Sequence, residues 1–411
     1  MKILFIHQDI PGQFEPLIQS LLAEGGHAVR GLGLHFRPHF TTAPIPGLQL
    51  DFYPPLPPSP APFGVPQEAL RALATGRQVA DCLARWQNEG YCPDVIVSNI
   101  AFGEAIYLRE VYPHTPILGY CEYYFHSRDS NADFGRDSPL SLASRCLVQT
   151  ANLTPLLGMT AMDVGVAPTY WQKNLFPPEF HRKIRVIHEG VDTERLCPDA
   201  AATVTLPGGQ VLDRSTPIVT YATRNLEPYR GFDIFMRAVE KLCRRRQDCQ
   251  FIIAGGDEIS YSPALPPGET YRQRMLNELD IDPNRVHFVG RRPYADYIRI
   301  LQVSSVHVYL SYPFVLSWSL PESMAAGCVI VGSDTAPVRE LLQDGRNGWL
   351  VSFFADGHLA DRIEAVLDHP TGWRSLGVQA RADVQAGYER RDTLRGYRSL
   401  IDKLVGSGAS V

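Results

Sequence analysis

Residues 306–332 (VHVYLSYPFVLSWSLPESMAAGCVIVG) constrain the fold of this chain more tightly than any other stretch. VHVYLS is short, apolar and rich in β-branched residues, the pattern of a buried strand. Pro313 ends any ladder, because its ring fixes φ and it has no N–H to donate. SLPESMAA is built largely of helix formers and stops at Gly327, after which CVIVG opens a second apolar strand. Strand, turn, helix and strand in such quick succession is the repeating unit of a parallel sheet. The start of this helix offers unpaired N–H groups and the positive end of a helix dipole, which suit a phosphate. Glu322 falls in the first turn. It either reaches the hydroxyl groups of a ligand or is a solvated acid favoured by the dipole.

The same alternation runs through the chain twice. KILFIH (2–7) is apolar throughout, as in a strand covered on both faces. A turn (QDIPGQF), a helix closed by Gly25 and Gly26, and the strand HAVRGLGL follow. Residues 36–66 are crowded with proline and are predicted as an extended surface loop around one short strand, LQLDFY. A helix over 67–90, the strand DVIVS, the helix GEAIYLREVY and the strand PILGYC continue the pattern. DVGVAP, TYWQKNLF and KIRVIHEG then close the first half as strand, helix and strand. Residues 198–217 are small, polar and turn-rich without a period, and mark a domain boundary. Beyond them IVTYAT, QFIIAGG, VHFVG, VHVYLS, CVIVG and GWLV read as strands separated by helices. The chain is therefore read as α/β: two Rossmann-like, doubly wound parallel sheets, in domains 1–197 and 198–385. Two such sheets with their strand carboxyl ends facing one another make a cleft, and ligands favour domain interfaces.

Composition excludes several classes. The net charge of −5 argues against a nucleic-acid partner, which calls for a basic surface. The eight cysteines (82, 92, 121, 146, 197, 243, 249 and 328) form no CxxC pair, and buried thiols in a reducing compartment fit them better than a disulfide frame or a zinc site. MKILFIHQ is too short an apolar start for a signal peptide, and no run is long enough to span a bilayer. The expectation is a soluble cytoplasmic protein. KLCRRRQDC (241–249) reads either as a solvated helix end or as a weak patch for the inner membrane surface.

The candidate functional residues all fall at predicted strand ends. Arg224 and Arg230, in YATRNLEPYRGFD (221–233), can hold a diphosphate with two guanidinium groups and no metal, or be plain solvated loop arginines. Gly256 lies in a further strand-end loop, GGD. Backbone atoms around Arg291 and Arg292 (VGRRPYADY) can edge a base. In the first half, Gly12 lies in the loop after the first strand, a position that faces the ligand crevice in such folds, although a tight turn also needs glycine there. EYYFHSRDSNADFGRD (122–137) places Glu122 and His126 just past another strand. Asp280–Ile281–Asp282 spells DxD, but it precedes Pro283 and reads as a helix exit rather than a metal site.

Taken in order, YATRNLEPYRGFD, FIIAGGD, VHFVGRRP and PESMAAGCVIVGSDTAPVRELLQDGRNGWLV resemble the retaining glycosyltransferases of family GT4, which have the GT-B fold. The likeness covers most of the second domain. It is looser in the first, through KILFIHQDIPGQF and VIHEGVD, which is similar to the family's NGVD. The resemblance implies that Arg224 and Arg230 bind the donor's pyrophosphate and that Glu322, matching the last acid of the E-x7-E motif, contacts the ribose. It also implies that amides from Leu316 through Ser317 and Trp318 to Ser319 face the distal phosphate or the sugar, and that a last helix (386–411) returns to the first domain. The chain departs from the family in four places. Phe314 stands where the motif's first Glu is expected, Ser317 where Gly is usual, and the loop of Arg224 and Arg230 is one residue longer. The family's first-domain His has no secure match, since strand alignment offers Glu122 or Cys121 and His126 lies four residues beyond Glu122.

The function expected on this basis is transfer of a sugar, with retention, from a nucleotide-diphosphate donor to an acceptor hydroxyl in bacterial glycan or glycoconjugate synthesis. A UDP-sugar is preferred over a GDP-sugar. No cofactor is required beyond this co-substrate, and no metal. The acceptor is a glycan, a lipid-linked glycan or a small molecule. Two alternatives remain open: a non-catalytic nucleotide-sugar-binding protein, suggested by Phe314, and a nucleotide-sugar epimerase or hydrolase.

Overall fold

Ile3 and Phe5 bury on one side of the first strand and Leu4 and Ile6 on the other, all at 0% exposure, so layers must cover both faces of its sheet. The structure, a computed structural model, describes residues 1–34, 44–55 and 67–406. Its contacts divide the chain into two compact units, Met1–Gly190 with Arg390–Val411, and Val191–Glu389. The sequence-based divisions were at 197/198 and 385/386.

The first unit holds strands β1 (Lys2–Ile6), β2 (Ala28–Leu34), β3 (Gln49–Tyr53), β4 (Val95–Asn99), β5 (Ile117–Tyr120), β6 (Val164–Ala167) and β7 (Ile184–Val186). Its helices are α1 (Glu15–Glu24), α2 (Gln67–Asn88), α3 (Leu108–Val111), α4 (Leu142–Thr150), α5 (Leu153–Ala161) and α6 (Tyr170–Leu175). The sheet is parallel, in the order β3-β2-β1-β4-β5-β6-β7. Most of the proline-rich loop expected over 36–66 lies outside the described residues, but β3 forms where LQLDFY predicted it. The helix expected over 103–112 is confined to α3, because Gly103 has φ +111°, outside the helical region, and its missing Cβ would meet the Ala72 carbonyl. Helices α4 and α5 had no counterpart in the sequence reading. Among the cysteines, Cys82, Cys121, Cys243, Cys249 and Cys328 are buried, whereas Cys92 and Cys146 are exposed; all eight are free thiols.

The second unit begins with a hairpin, β8 (Thr203–Thr205) and β9 (Val211–Asp213), in the stretch expected to be irregular. Ala202, Val204, Leu206 and Leu212 explain it: these residues bury against the core while their neighbours are exposed. The strands β10 (Ile218–Asn225), β11 (Gln250–Gly256), β12 (Val286–Gly290), β13 (Val306–Tyr309), β14 (Ile330–Ser333) and β15 (Trp349–Val351) form a parallel sheet in the order β12-β11-β10-β13-β14-β15. Its helices are α7 (Phe232–Arg245), α8 (Tyr271–Glu278), α9 (Tyr294–Val303), α10 (Ser319–Ala325), α11 (Ala336–Arg339), α12 (Asp356–Asp368) and α13 (Arg374–Gly387). α7 buries Phe232, Phe235, Val239 and Leu242 at 0% exposure, and Phe235 stacks on Tyr221 of β10 at 4.7 Å. The last helix, α14 (Arg390–Gly406), belongs to the first unit. Its Tyr397, Ile401 and Leu404 join Ile3, Phe5 and Val95 in one core. No described helix is long and apolar enough to cross a membrane.

Candidate functional site

Strand order reverses between β10 and β13 in the second unit, and ligands bind open α/β sheets beyond the strand carboxyl ends at such switch points. The loops that leave β10 and β13 meet there. Arg230 is buried at 8% exposure, and its Nη1 donates to Ser311 Oγ at 2.6 Å and to the Val315 carbonyl at 3.3 Å. Its own carbonyl accepts from the Tyr221 hydroxyl at 2.7 Å, and its guanidinium lies 5.4 Å from the Tyr261 ring. Arg230 is therefore aimed into the 311–318 loop instead of out to solvent. Arg224 is exposed at the end of β10, on the same rim.

Glu227, between the two arginines, is the residue that organises this rim, and the sequence reading overlooked it. Its side chain is buried, and Oε2 accepts from the amides of Ser260, Tyr261 and Ser262 at 3.2, 2.9 and 2.8 Å. Ser262 Oγ in turn accepts from the Tyr229 amide at 3.1 Å. The loop after β11 is thereby pinned to the loop after β10. No local pattern announces this, because the partners lie more than thirty residues along the chain.

The 311–318 loop carries Phe314, read from the sequence as standing where an acid is expected. Phe314 packs edge-on against Tyr229 (5.4 Å) and Tyr261 (5.0 Å), and Tyr229 stacks on Tyr312 at 4.7 Å. Tyr312 in turn touches Phe353 at 5.0 Å. Of the amides expected to be open for a phosphate, that of Ser317 donates to the Tyr309 hydroxyl at 3.0 Å, and that of Ser319 makes a long 3.4 Å contact with Ser317 Oγ. Leu316 is half-buried and Trp318 is 43% exposed. Glu322, in the first turn of α10, accepts from the Tyr294 hydroxyl at 2.7 Å, and the Arg195 guanidinium lies 4.8 Å from the Tyr294 ring. Beside it, the Tyr297 phenol is pushed well above its ordinary pKa, first by burial and then by the Glu322 charge.

Two other strand-end residues are engaged inside the unit. Arg291 Nη2 donates to Asn225 Oδ1 at 2.9 Å and to Glu258 Oε2 at 2.8 Å, so its side chain braces the rim. Gly256 lies under them: a Cβ there would press on the Glu258, Arg291 and Asn225 side chains. Arg292 is half-buried beside them. Asp282 of the DxD stretch is engaged by Arg285 at 2.7 Å and by the Asn284 amide at 3.0 Å, which close a turn.

In the first unit Glu122 and His126 have different partners. Glu122 Oε2 accepts from Asn99 at 3.1 Å at the end of β4. His126 Nε2 lies 2.7 Å from the Leu175 carbonyl at the end of α6, which assigns the proton to Nε2. Gly12 has φ +50°, and a Cβ there would stand 3.0 Å from His7 Nδ1. His7 itself, buried at the end of β1, was missed. Its Nδ1 accepts from the Asp9 amide at 2.9 Å and its ring lies between Phe14 and Phe102. Its position right after a wholly apolar strand was the available signal.

Glu104 was also missed. It is completely buried, accepts from the Tyr53 hydroxyl at 3.2 Å, and is raised by burial from 4.5 to about 7. The folded state thus keeps a proton that the unfolded chain has lost. Stability is unaffected below the unfolded value, falls as pH rises between 4.5 and about 7, and carries the full penalty above that. The penalty is on the order of 3 kcal/mol. Glu104→Gln, neutral at every pH, is expected to melt higher than the parent above pH ~8 and alongside it near pH ~5. Equal melting curves at both pH values would remove Glu104 as the titrating group.

Comparison with known proteins places the chain. Residues 36–196 match the glycosyl transferase family 4 group and residues 210–383 match glycosyl transferases group 1. The chain belongs to glycosyltransferase family GT4. Among curated relatives, the alpha-D-kanosaminyltransferase of Streptomyces kanamyceticus is 29% identical over 154 residues, 38% of this chain and 37% of that one. A D-inositol 3-phosphate glycosyltransferase of Corynebacterium aurimucosum is 26% identical over 200 residues, 48% of this chain and 46% of that one. The matches thus span less than half the length of these two relatives. Among solved structures, sucrose-phosphate synthase from Thermosynechococcus elongatus superposes with a TM-score of 0.76 at 17% identity, covering 99% of this chain and 100% of that one. HepE of Anabaena in complex with UDP-glucose gives 0.69 at 17% identity over 98% and 100%. These likenesses establish the GT-B fold, two Rossmann-like units each with its own parallel sheet.

Proposed function

We propose that this GT4 member is a retaining, metal-independent glycosyltransferase. It moves a hexosyl unit from a nucleotide-diphosphate donor, a UDP-sugar before a GDP-sugar, to a hydroxyl of a glycan, a lipid-linked glycan or a small molecule. The observation that carries the reading is Arg230, a buried guanidinium directed into the switch point between β10 and β13, with Arg224 exposed on the same rim. The HepE structure with UDP-glucose supports the donor class.

In the transition state the bond from the sugar's anomeric carbon to the diphosphate oxygen lengthens, leaving an oxocarbenium-like sugar and a departing diphosphate that gains one negative charge over the donor. Two guanidinium groups stabilise that added charge, work that a divalent ion performs elsewhere. The acceptor oxygen attacks from the face that the diphosphate is leaving, and its proton passes to the leaving phosphate oxygen. Retention follows without a covalent intermediate. Glu322 binds the ribose hydroxyls, and the first unit binds the acceptor.

A second reading, a protein that binds nucleotide sugars without turning them over, is favoured by Phe314, which is packed between Tyr229 and Tyr261 and offers a sugar no hydrogen bond. Incubation with a panel of UDP- and GDP-sugars separates the two. Nucleotide release that depends on an acceptor supports the transferase; binding with no release across the panel supports the second reading. Release without an acceptor belongs to a hydrolase. Arg224→Ala and Glu322→Ala are each expected to weaken nucleotide binding about tenfold or more, one charge-assisted contact apiece. Unchanged binding in both removes this rim as the donor site.

A further inference from the structure

The most unusual surface of the first unit lies on α4 and α5, which follow the 122–137 loop. No residue of α4 is buried, and a nine-residue helix is marginal in water unless a neighbour covers it. Yet it exposes large apolar residues: Leu142 is 68% exposed and Leu147 55%, with Cys146 exposed between them. Leu153 (47%) and Leu157 (40%) continue the face onto α5. Ala151 and Asn152, which join the two helices, both keep right-handed helical angles, so 142, 146, 153 and 157 recur at helical spacing along one stretch. The joint is fixed from beneath. Asn152 is fully buried and exchanges two 2.8 Å hydrogen bonds with the backbone of Phe125. The leucines are therefore held outward on a rigid support.

Charge decides what covers them. From Ser138 to Met162 the only charged residue is Arg145, whose Nη1 is engaged by the Leu140 carbonyl at 2.7 Å. A helix that lies on a lipid surface carries lysine and arginine on its polar face and Trp or Phe on the other. This stretch has no Lys, Trp or Phe. A strongly charged partner would find nothing to pair with. A second copy of the same chain meets the requirement: the two-fold contact of a homodimer places a patch against itself, and a strip whose one charge is held by a backbone carbonyl brings few like charges together. The rest of a chain with net charge −5 is less suited to self-contact. Helices of this combined length span about 30 Å, and two such strips laid side by side bury on the order of 1,000 Å² in total, the threshold for a stable interface.

We propose that the chain forms a homodimer through the exposed apolar face of α4 and α5, independently of its catalytic assignment. Sedimentation of the full chain over a range of micromolar concentrations is expected to show a reversible monomer–dimer equilibrium. Leu142→Glu combined with Leu153→Glu is expected to weaken the dimer about 100-fold or more, by placing four carboxylates in an apolar contact. Leu142→Lys alone is expected to act in the same direction. Both replace exposed residues, so circular dichroism and melting should match the parent. Val378→Glu, at an exposed apolar position on α13 of the other unit, is expected to leave the dimer intact. A chain that stays monomeric, a dimer that survives the α4–α5 changes, or a monomer that floats with phosphatidylcholine–phosphatidylglycerol vesicles would each overturn the proposal.

Discussion

Arg230→Ala is expected to reduce nucleotide-sugar affinity by about 30- to 100-fold, more than any other single change on the rim. Its guanidinium is buried, so a bound diphosphate meets it in a medium where a charge-assisted hydrogen bond contributes about 1.5–3 kcal/mol. The substitution also strips Ser311 Oγ and the Val315 carbonyl of their donor and so loosens the loop that carries Phe314. Arg230→Lys distinguishes the two contributions. It restores the charge but not the planar fork, and an ammonium cannot donate to Ser311, Val315 and a phosphate in the same geometry. Lysine should therefore recover part of the affinity while the melting temperature stays near that of the alanine variant. If Arg230→Ala bound nucleotide as tightly as the parent, the buried guanidinium would be a structural brace alone.

The second large effect falls on stability. Glu227→Ala leaves the amides of Ser260, Tyr261 and Ser262 facing a void in place of one carboxylate oxygen. Unsatisfied buried donors cost about 1–3 kcal/mol each, partly recovered as water enters, for a net loss of about 3 kcal/mol. In a unit of this size that corresponds to a fall in melting temperature of roughly 10 °C. Glu227→Gln keeps an oxygen acceptor without the charge and should lose about 1 kcal/mol. The loop after β11 ought also to become more accessible to protease in Glu227→Ala, since its attachment to the Tyr229 segment is cut. Parent-like melting and proteolysis would show that the aromatic cluster of Tyr229, Tyr261 and Phe314 holds the loop without the carboxylate.

Both residues show what the sequence could and could not reveal. The sheets were legible because strands covered on two faces carry short, nearly continuous apolar runs, as in KILFIH and IVTYAT. Arg230 was legible as a strand-end residue just before a helix, but its burial was not, since that depends on Ser311 and Val315, more than eighty residues away. Glu227 and Glu104 were invisible for the same reason: an acid looks solvent-exposed until amides or a phenol from distant segments close over it. The hairpin of β8 and β9 was hidden because its strands are three residues each, too short for a period to emerge. Phe314 was recognised as a departure, and the structure adds its neighbours, Tyr229 and Tyr261. The α4–α5 face escaped because the sequence reading assigned no element between 138 and 162, although one charged residue in that span is itself a signal.

The account turns on a diphosphate held by arginines at the β10–β13 switch point. Calorimetric titration of the intact chain with UDP and with uridine, both in the presence of a chelator, tests it most directly. The expected result is that UDP binds at least about 100-fold more tightly than uridine, the contribution of its two phosphates to guanidinium contacts, with no loss when divalent ions are removed. Equal affinity for the two ligands, or UDP binding that vanishes with the chelator, would contradict it.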